Sequence, residues 1–250
     1  YSPVDGYLDL KKAICKKFKR DNNLNYDVDQ IVVSTGAKQS IANVCMSLIN
    51  KGDEVLIPTP YWVSYSAMVE LAEGVPVFIN PDKDSNYKIT AQQLDSAITD
   101  KTKMLMLNSP NNPSGSVFTE QEYLEFSKVL SKYPNIIIVS DEIYEHINYG
   151  VKSVSFASLP GMFDRTVTVN GISKAYAMTG WRIGYLGAPK VIAKACNKMQ
   201  GQITSGANCI AQRATIKALE ESPEKIQYMV DEFKIRRDFI IDLVTKILSL

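Results

Sequence analysis

The sequence predicts an α/β protein in which a mostly parallel β-sheet is flanked by helices. Strand-like apolar runs alternate along the chain with segments whose apolar residues recur at helical spacing, a pattern typical of this architecture. One run, NIIIVSDE, is continuously apolar, as expected for a strand that is covered on both faces. Of the 250 residues, 45% are hydrophobic and 22% are charged, which is the composition of an ordinary folded chain.

The predicted strands begin, in chain order, with QIVVST, EVLIPTP, VPVFIN and TKMLMLNSP. A helix follows the first strand and ends near Gly52, and another helix surrounds YWVSYSAMVELA. Thr90 and Gln93 form a capping box, which predicts a short helix before the fourth strand. The apolar face of the helix after the first strand consists of Ile41, Val44, Cys45, Leu48 and Ile49.

The alternation continues along the rest of the chain. Thr119 and Glu122 form a second capping box, for a helix that precedes NIIIVSDE. RTVTVNG and IGYLGAP complete the strands, and Pro189 ends the last of them. A long amphipathic helix is predicted to begin near Pro223. Its apolar residues are Ile226, Met229, Val230, Phe233, Ile240, Ile241, Val244 and Leu248.

Bulk properties argue against several classes of function. The formal net charge of +1 gives no electrostatic footprint for nucleic acid or an anionic membrane, so we expect a small-molecule partner. No apolar run approaches membrane-spanning length, and the N-terminus shows no signal-peptide pattern. His146 is the only histidine, which argues against a metal site and a Ser-His-Asp triad. The cysteines have no metal-ligand spacing and are expected to be core thiols in a reducing, cytoplasmic compartment; they are Cys15, Cys45, Cys196 and Cys209.

Polar or aromatic segments follow most of the predicted strands. They are TGAKQ, PTPYW, NSPNNPSG, SDEIY and GISK. In open parallel sheets, ligands bind beyond the carboxyl ends of the strands. We therefore expect these segments to meet at one edge of the sheet and to form one site.

Two of these segments predict opposite charges at the site. Gly36, Ala37 and Lys38 open a helix directly after a strand, where free N–H groups suit a phosphate; a glycine required by a tight turn explains the same pattern. Asp141 ends an apolar strand, so its carboxylate needs a cation unless it serves as a helix N-cap. Tyr144, three residues later, can point to the same place.

The stretch SKAYAMTGWRIG places Lys174 after one strand and Arg182 just before the next. A loop lysine is most often a solvated surface charge. Together, however, the segments offer a phosphate cradle, a flat aromatic ring, a buried carboxylate, a phenol, an amide and a lysine. This set fits pyridoxal 5'-phosphate better than the other ligands considered, because the lysine can form a Schiff base while the carboxylate keeps the ring nitrogen protonated.

The motifs TGAKQ, PYWVSY, SPNNPSG, SDEIYEH and SKAYAMTGWRIGY, in this order and at these separations, strongly resemble the class I, fold-type I pyridoxal-phosphate aminotransferases. The chain looks most similar to bacterial aspartate aminotransferases of the subgroup with Gly-Ala-Lys or Gly-Gly-Lys at the first loop. The resemblance extends from YSPVDGYLDLKKAI to about Ala218. The lysine segment is highly specific, whereas the first loop alone is not.

The resemblance implies a role for each matched residue. Lys174 would be the Schiff-base lysine and proton shuttle, and Asp141 would pair with the pyridinium nitrogen. Tyr144 and Asn112 would hydrogen-bond the phenolic oxygen of the ring, and Trp62 would stack on the ring face. The phosphate contacts implied are Ala37, Lys38, Ser173 and Arg182, with Gly36 also in the cofactor site.

The resemblance also implies partners and substrates. Tyr1 looks like the tyrosine that these enzymes lend to the phosphate of the neighbouring subunit, which implies a homodimer with shared sites. Lys38, Trp62 and Asn112 are the implied substrate contacts, and Lys38 would bind either the distal carboxylate of an acidic substrate or only the phosphate. The implied reaction is transamination between aspartate or glutamate and a 2-oxo acid. An aromatic or neutral aminotransferase, a β-lyase, a decarboxylase, and the cofactor-binding domain of a transcription regulator remain alternatives.

The sequence departs from the family pattern in two respects. Gly171 stands where many relatives have a serine, so one phosphate contact is expected to be lost. The arginine that binds the substrate α-carboxylate lies in a small domain that this sequence lacks. We expect a piece of a longer protein, because the chain opens on Tyr1 and stops within an amphipathic pattern. The predicted division is a cofactor-binding large domain at 1–222, then at 223–250 a long helix leading into a largely missing small domain.

Overall fold

The structure is a computed structural model and describes residues 1–248. Its strands are β1 (Ile31–Ser34), β2 (Glu54–Pro58), β3 (Val75–Ile79), β4 (Thr102–Asn108), β5 (Ile137–Asp141), β6 (Thr166–Gly171) and β7 (Gly184–Gly187). Within that range they form one seven-stranded sheet in the order β1-β7-β6-β5-β4-β2-β3. Neighbouring strands pair in parallel except at β7, which runs antiparallel to β1 and β6. The prediction of a mostly parallel sheet is confirmed.

Helix α1 (Leu8–Asn22) precedes the strands, and α2 (Ala37–Leu48), α3 (Ser64–Leu71), α4 (Ala91–Ala97) and α5 (Glu120–Leu130) alternate with β1 to β5 as predicted. In the described residues only short 3-10 helices separate β5, β6 and β7, and α6 (Lys190–Ile203), α7 (Cys209–Glu220) and α8 (Gln227–Leu248) follow β7. Thr90 and Thr119 cap α4 and α5 by accepting the backbone N–H groups of Gln93 and Glu122, so both predicted capping boxes are present.

Both faces of the sheet are covered, and successive side chains of the central strand β4 show this directly. Met104 and Met106 pack in the cluster that contains the inner sides of α2, α3 and α6. Leu105 and Leu107 point the other way, into the cluster that contains α4 and α5. Because neighbouring residues of a strand face opposite sides, a strand covered on both faces must be continuously apolar.

The direction of β7 determines what lies at the ligand edge of the sheet. β1 is antiparallel to β7, and β7 is antiparallel to β6, so β1 runs parallel to β2 through β6. An antiparallel strand starts where its neighbours end. Gly184, the first residue of β7, pairs with both Ser34 and Gly171, which end β1 and β6. Arg182, two residues earlier, is therefore brought to the carboxyl edge.

The terminal helix follows a short 3-10 helix at Pro223–Ile226, close to the predicted start. Ile226 and Val230 are buried, whereas later members of the predicted apolar face are exposed. The side chain of Leu248 lies outside the described part of the chain. The division into a domain at 1–222 and a segment at 223–250 stays a prediction. The exposed members are Phe233, Ile240, Ile241 and Val244.

The prediction that all the cysteines are core thiols is wrong in part. Cys45 and Cys196 are buried, but Cys15 is only half-buried and Cys209 is exposed. Cys209 is the first residue of α7, and the start of that helix lies at the surface. The apolar helical context of Cys209 therefore gave the wrong prediction of burial. Among the described residues, no helix combines the length and apolarity needed to cross a membrane.

Candidate active site

A pocket of about 280 Å³ opens at the carboxyl edge of the sheet. Nearly all of the predicted site residues line it; only Gly36 and Tyr1 do not. The lining consists of Ala37, Lys38, Trp62, Tyr65, Asn108, Asn112, Asp141, Ile143, Tyr144, Ser173, Lys174, Thr179 and Arg182. These residues come from the strand ends at that edge and from the loops and helix starts beside them, as the strand-end rule predicts.

Asp141 is the buried acid of the pocket, with only 4% of its surface exposed. Its Oδ2 accepts a hydrogen bond from the Tyr65 hydroxyl at 2.7 Å, and its Oδ1 accepts one from the Ile143 backbone N–H at 3.2 Å. Burial raises the pKa of Asp141 from 3.8 to about 6, although these hydrogen bonds and the charge of Lys174 oppose the rise. The carboxylate is therefore incompletely compensated and suits a cationic group of a ligand.

The alternative that Asp141 is a helix N-cap is not supported. Residues 143–146 form a turn rather than a helix, and Asp141 accepts the N–H two residues ahead of it. The side chain thus shapes the turn with one oxygen and receives a phenol with the other. These contacts fit a buried carboxylate that faces the pocket, and they do not fit a helix cap.

Tyr65 is a site residue that the sequence reasoning missed. It lies on α3, one helical turn after Trp62 in PYWVSY, and is 3% exposed. Burial and the neighbouring Asp141 charge raise the pKa of Tyr65 well above 10, so the hydroxyl remains a donor. The helical spacing from Trp62 was the available signal, because residues three apart on a helix share a face.

Lys174 and Tyr144 face each other across the pocket. The Lys174 Nζ lies 5.5 Å from the centroid of the Tyr144 ring. Lys174 belongs to a turn after β6, in which its carbonyl accepts the Ala177 N–H at 3.2 Å. Ser173, directly before it, is buried. The structure thus brings together the amine, the phenol and the hydroxyl that the sequence predicted.

The start of α2 forms an anion site with Arg182. The first N–H groups of a helix have no intrahelical acceptor, and the helix dipole adds positive potential there. Arg182 donates from Nη1 to the Thr179 carbonyl at 2.8 Å, which orients its guanidinium. Thr179 also lines the pocket and was not predicted, because its contribution is a backbone oxygen.

Two glycines make this close approach feasible. Gly36, the N-cap of α2, has φ +84°, and a Cβ there would lie 2.4 Å from Arg182 Nη2. A Cβ on Gly184 would lie 2.1 Å from the Ala37 backbone nitrogen. Any larger side chain would push Arg182 or β7 away from the helix start. Gly36 therefore serves the site without lining it.

Lys38 and Trp62 form another wall of the pocket. The Lys38 Nζ lies 4.9 Å from the centroid of a Trp62 ring, within the range of a cation–π contact. The Trp62 ring meets the Tyr65 ring edge-on, with centroids 5.5 Å apart and an interplanar angle of 89°. Tyr65 therefore holds both the acid and the aromatic wall.

Asn112 lines the pocket, and its loop is held in place by Asn108, which was not among the predicted site residues. Its backbone N–H donates to Asn108 Oδ1 at 2.8 Å. Asn108 in turn donates from Nδ2 to the Asp141 carbonyl at 3.0 Å. Asn108 and Asp141 also pair across β4 and β5. The loop that carries Asn112 is thereby tied to the strand end that carries Asp141.

Two remaining predictions fall outside the pocket lining. Tyr1 is fully exposed at the beginning of the chain, so its role at a neighbouring subunit stays a prediction. Gly171 has no room for the serine that many relatives carry, because a Cβ would lie 2.9 Å from the Ile183 carbonyl oxygen and 3.0 Å from Gly184 Cα. The tight pairing of these two strands explains the departure.

The chain matches the family model described as aminotransferase class I and II over residues 1–250. One curated relative is an aspartate aminotransferase of Rhizobium meliloti (strain 1021), 46% identical over 244 residues that cover 97% of this chain and 60% of the relative. Another is a bifunctional aspartate aminotransferase and glutamate/aspartate-prephenate aminotransferase of Petunia hybrida, 46% identical over 245 residues that cover 96% of this chain and 51% of the relative. The chain thus spans between about half and three-fifths of the length of these relatives.

Solved structures give the same result. The aspartate aminotransferase from Rhizobium meliloti superposes with a TM-score of 0.95 at 45% identity, over 97% of this chain and 61% of that one. An aromatic aminotransferase from Pyrococcus horikoshii OT3 superposes with a TM-score of 0.95 at 37% identity, over 98% of this chain and 67% of that one. With a family match along its whole length and these identities, the chain belongs to the class I and II aminotransferases.

Proposed function

We propose that this chain forms the cofactor-binding part of a pyridoxal-phosphate-dependent aminotransferase that acts on aspartate or glutamate and a 2-oxo acid. Membership of the family implies pyridoxal 5'-phosphate as the cofactor. One observation carries the proposal: a lysine amine, a buried carboxylate and a helix-start anion site face the same pocket. The residues concerned are Lys174, Asp141 and the start of α2 with Arg182.

The chemistry of the pocket fits each part of this cofactor. The helix start, Ser173 and Arg182 suit a phosphate, since a guanidinium can bind two of its oxygens at once. Asp141 offers a buried negative charge to a ring nitrogen, and Lys174 offers a primary amine to an aldehyde. The Trp62 ring provides a flat apolar surface for the cofactor ring.

When bound, the cofactor would act as an electron sink for the charge that develops on the substrate Cα as its proton leaves. Lys174 would hold the cofactor covalently and then, once released, accept and return that proton at its Nζ. Asp141, as a carboxylate, would keep the ring nitrogen protonated. Tyr144 and Asn112 would donate hydrogen bonds to the ring oxygen.

Lys38 is our candidate for recognition of an acidic side chain. The cations among the described pocket-lining residues are Lys38, Lys174 and Arg182. With Lys174 assigned to the cofactor and Arg182 to its phosphate, Lys38 remains to neutralise a second carboxylate when water leaves the site. The 46% identical relatives named aspartate aminotransferase support this choice over an aromatic substrate. The aromatic aminotransferase structure, at 37% identity, supplies the second candidate.

A homodimer with shared sites is part of the same proposal. Tyr1 is fully exposed and does not line the pocket of its own chain, so it is free to reach the phosphate site of a second copy. A cytoplasmic location remains our inference from the absence of paired cysteines among the described residues.

The test is a coupled assay of the full-length protein against acidic, neutral and aromatic amino acids with 2-oxoglutarate. We expect Lys38→Ala to lower kcat/KM for aspartate about 10- to 150-fold, the equivalent of the ~1.5–3 kcal/mol typical of a charged hydrogen bond, with a much smaller effect on an aromatic substrate. Lys51→Ala, an exposed lysine that does not line the pocket, is the matched control. Equal losses for both substrate classes would assign Lys38 to the phosphate and contradict the acidic-substrate proposal.

A further inference from the structure

A buried polar cluster outside the pocket joins α1 to the turn that carries Tyr144. The side chains are largely removed from water, with 1% exposure for Lys17, 9% for Asp21, 6% for Glu145 and 15% for His146. None of the side chains of this cluster lines the pocket. The members are Lys17, Asp21 and Asn22 from α1, and Glu142, Glu145 and His146 from the turn.

Asn22, the last residue of α1, bonds to both carboxylates of the turn. Its Nδ2 donates to Glu145 Oε2 at 2.6 Å and to Glu142 Oε2 at 3.3 Å. Its Oδ1 accepts from the Lys17 Nζ at 2.7 Å. One buried amide therefore links the two acids to each other and to a cation.

The two acids flank the residues that face the pocket. Glu142 and Glu145 enclose Ile143 and Tyr144, both of which line the pocket. Glu142 is held further by the hydroxyls of Ser140 and Ser155, each at 2.8 Å. The turn has few backbone hydrogen bonds of its own: the Glu145 N–H donates to the Glu142 carbonyl and the Ile147 N–H to the Tyr144 carbonyl. Side-chain contacts therefore bear on where Tyr144 points: those to α1, and the bond that Asn170 Nδ2 of β6 donates to Glu145 Oε1 at 2.7 Å.

The charges of the cluster favour a structural role over binding of a metal ion. Asp21, Glu145 and His146 place possible ligand atoms within 4.8 Å of one another. The Lys17 ammonium, however, contacts Glu145 directly and lies 3.8 Å from Asp21. The site already contains its cation. Lys17 and His146 lower the pKa of Glu145 despite its burial, so that acid is an anionic acceptor for Asn22.

We propose that Asn22 is a positioning residue for Tyr144. By bonding to Glu142 and Glu145 at once, Asn22 keeps the turn closed, and the turn holds the Tyr144 phenol towards the cofactor. The inference rests on the proposed function, because it requires a cofactor in the pocket. Groups that orient a contacting residue tune the chemistry of the site without touching the ligand.

The experiment compares the full-length wild type with Asn22→Leu and with the milder Asn22→Ser, whose single hydroxyl cannot reach both acids. Asn43→Leu is the matched control, because Asn43 is 1% exposed and donates to Gln200 Oε1 at 3.0 Å, away from the turn. The readout is the pH at which the visible absorption of bound pyridoxal 5'-phosphate changes. We expect a shift of about 0.5–1 pH units in Asn22→Leu, in the same direction in Asn22→Ser, and none in Asn43→Leu.

A double-mutant cycle with Tyr144→Phe identifies the route. If Asn22 acts through Tyr144, Asn22→Leu adds little further shift in the Tyr144→Phe background. The inference is overturned if the titration of the bound cofactor is unchanged in a folded Asn22 variant. It is also overturned if the shifts of Asn22→Leu and Tyr144→Phe are fully additive. If Asn22→Leu does not fold, Asn22→Ser provides the test. A wild type that never binds pyridoxal 5'-phosphate overturns the proposed function itself, which separates the two failures.

Discussion

Replacing Tyr65 with phenylalanine should make Asp141 a weaker acid. The Tyr65 hydroxyl donates to Asp141 Oδ2 at 2.7 Å, and both groups are buried. A hydrogen bond to the ionised form of an acid lowers its pKa. The substitution removes one oxygen atom, preserves the ring that packs against Trp62, and leaves the Ile143 N–H donating to the other oxygen of the carboxylate.

The size of the effect follows from the strength of the lost bond. A hydrogen bond to a charged group contributes about 1.5–3 kcal/mol, and one pKa unit corresponds to about 1.4 kcal/mol. The pKa of Asp141, which burial raises to about 6 with the hydroxyl in place, should therefore rise by about 1–2 further units. At neutral pH, Asp141 would change from mostly ionised to at least about half protonated.

The assay is the affinity of the cofactor-free, full-length protein for pyridoxal 5'-phosphate as a function of pH. Binding that uses the Asp141 anion weakens as pH falls through its pKa, so the acid-side inflection should move to higher pH in Tyr65→Phe. Tyr26→Phe is the matched control, since its buried hydroxyl bonds to Thr168 Oγ1 at 3.0 Å and does not line the pocket. An inflection that stays in place, or moves to lower pH, refutes the reasoning.

Three further substitutions test other parts of the site. Lys174→Ala should lower turnover by at least ~10²–10⁴-fold, and borohydride reduction of the wild type should fix the cofactor to Lys174; an adduct mapped to another lysine would end the assignment. Asp141→Ala should lower kcat more than cofactor affinity, whereas unchanged kcat would leave Asp141 with only its role in the turn. Gly184→Ala should destabilise the protein by about 1–3 kcal/mol in denaturant unfolding, because its methyl would meet the Ala37 nitrogen at 2.1 Å. Gly180→Ala, with nothing within 4 Å of its Cβ, should cost much less; equal losses would show that crowding is not the cause.

Local sequence patterns were sufficient to predict the elements and most of the pocket. Thr90 and Thr119 predict the starts of α4 and α5, because helix capping depends on residues only a few positions apart. Asp141 and Lys174 were placed at one site because parallel strands deliver their carboxyl ends to the same edge. Both inferences need only the order of elements along the chain.

The residues that were missed act through contacts with no local signature. Asn108 was predicted to lie in a segment at the site edge but was given no role, yet its amide ties the Asn112 loop to the Asp141 carbonyl. Tyr65 was one more aromatic residue in a helix, until α3 placed its hydroxyl on Asp141. A side-chain hydrogen bond between distant segments depends on how the elements pack, which periodicity does not report.

The amino-acid sequence by itself determined the α/β class, the ligand edge and the residue types available there, because these depend on hydrophobic periodicity and on chain order. Only the tertiary structure decided the direction of β7, since a strand pattern reads the same in both directions, and that direction brings Arg182 and Gly184 against the start of α2. It also decided the pairing of Asn22 with Glu145, 123 positions away. Such contacts form only when packed helices and strands bring remote polar groups together in a space where each must find a partner.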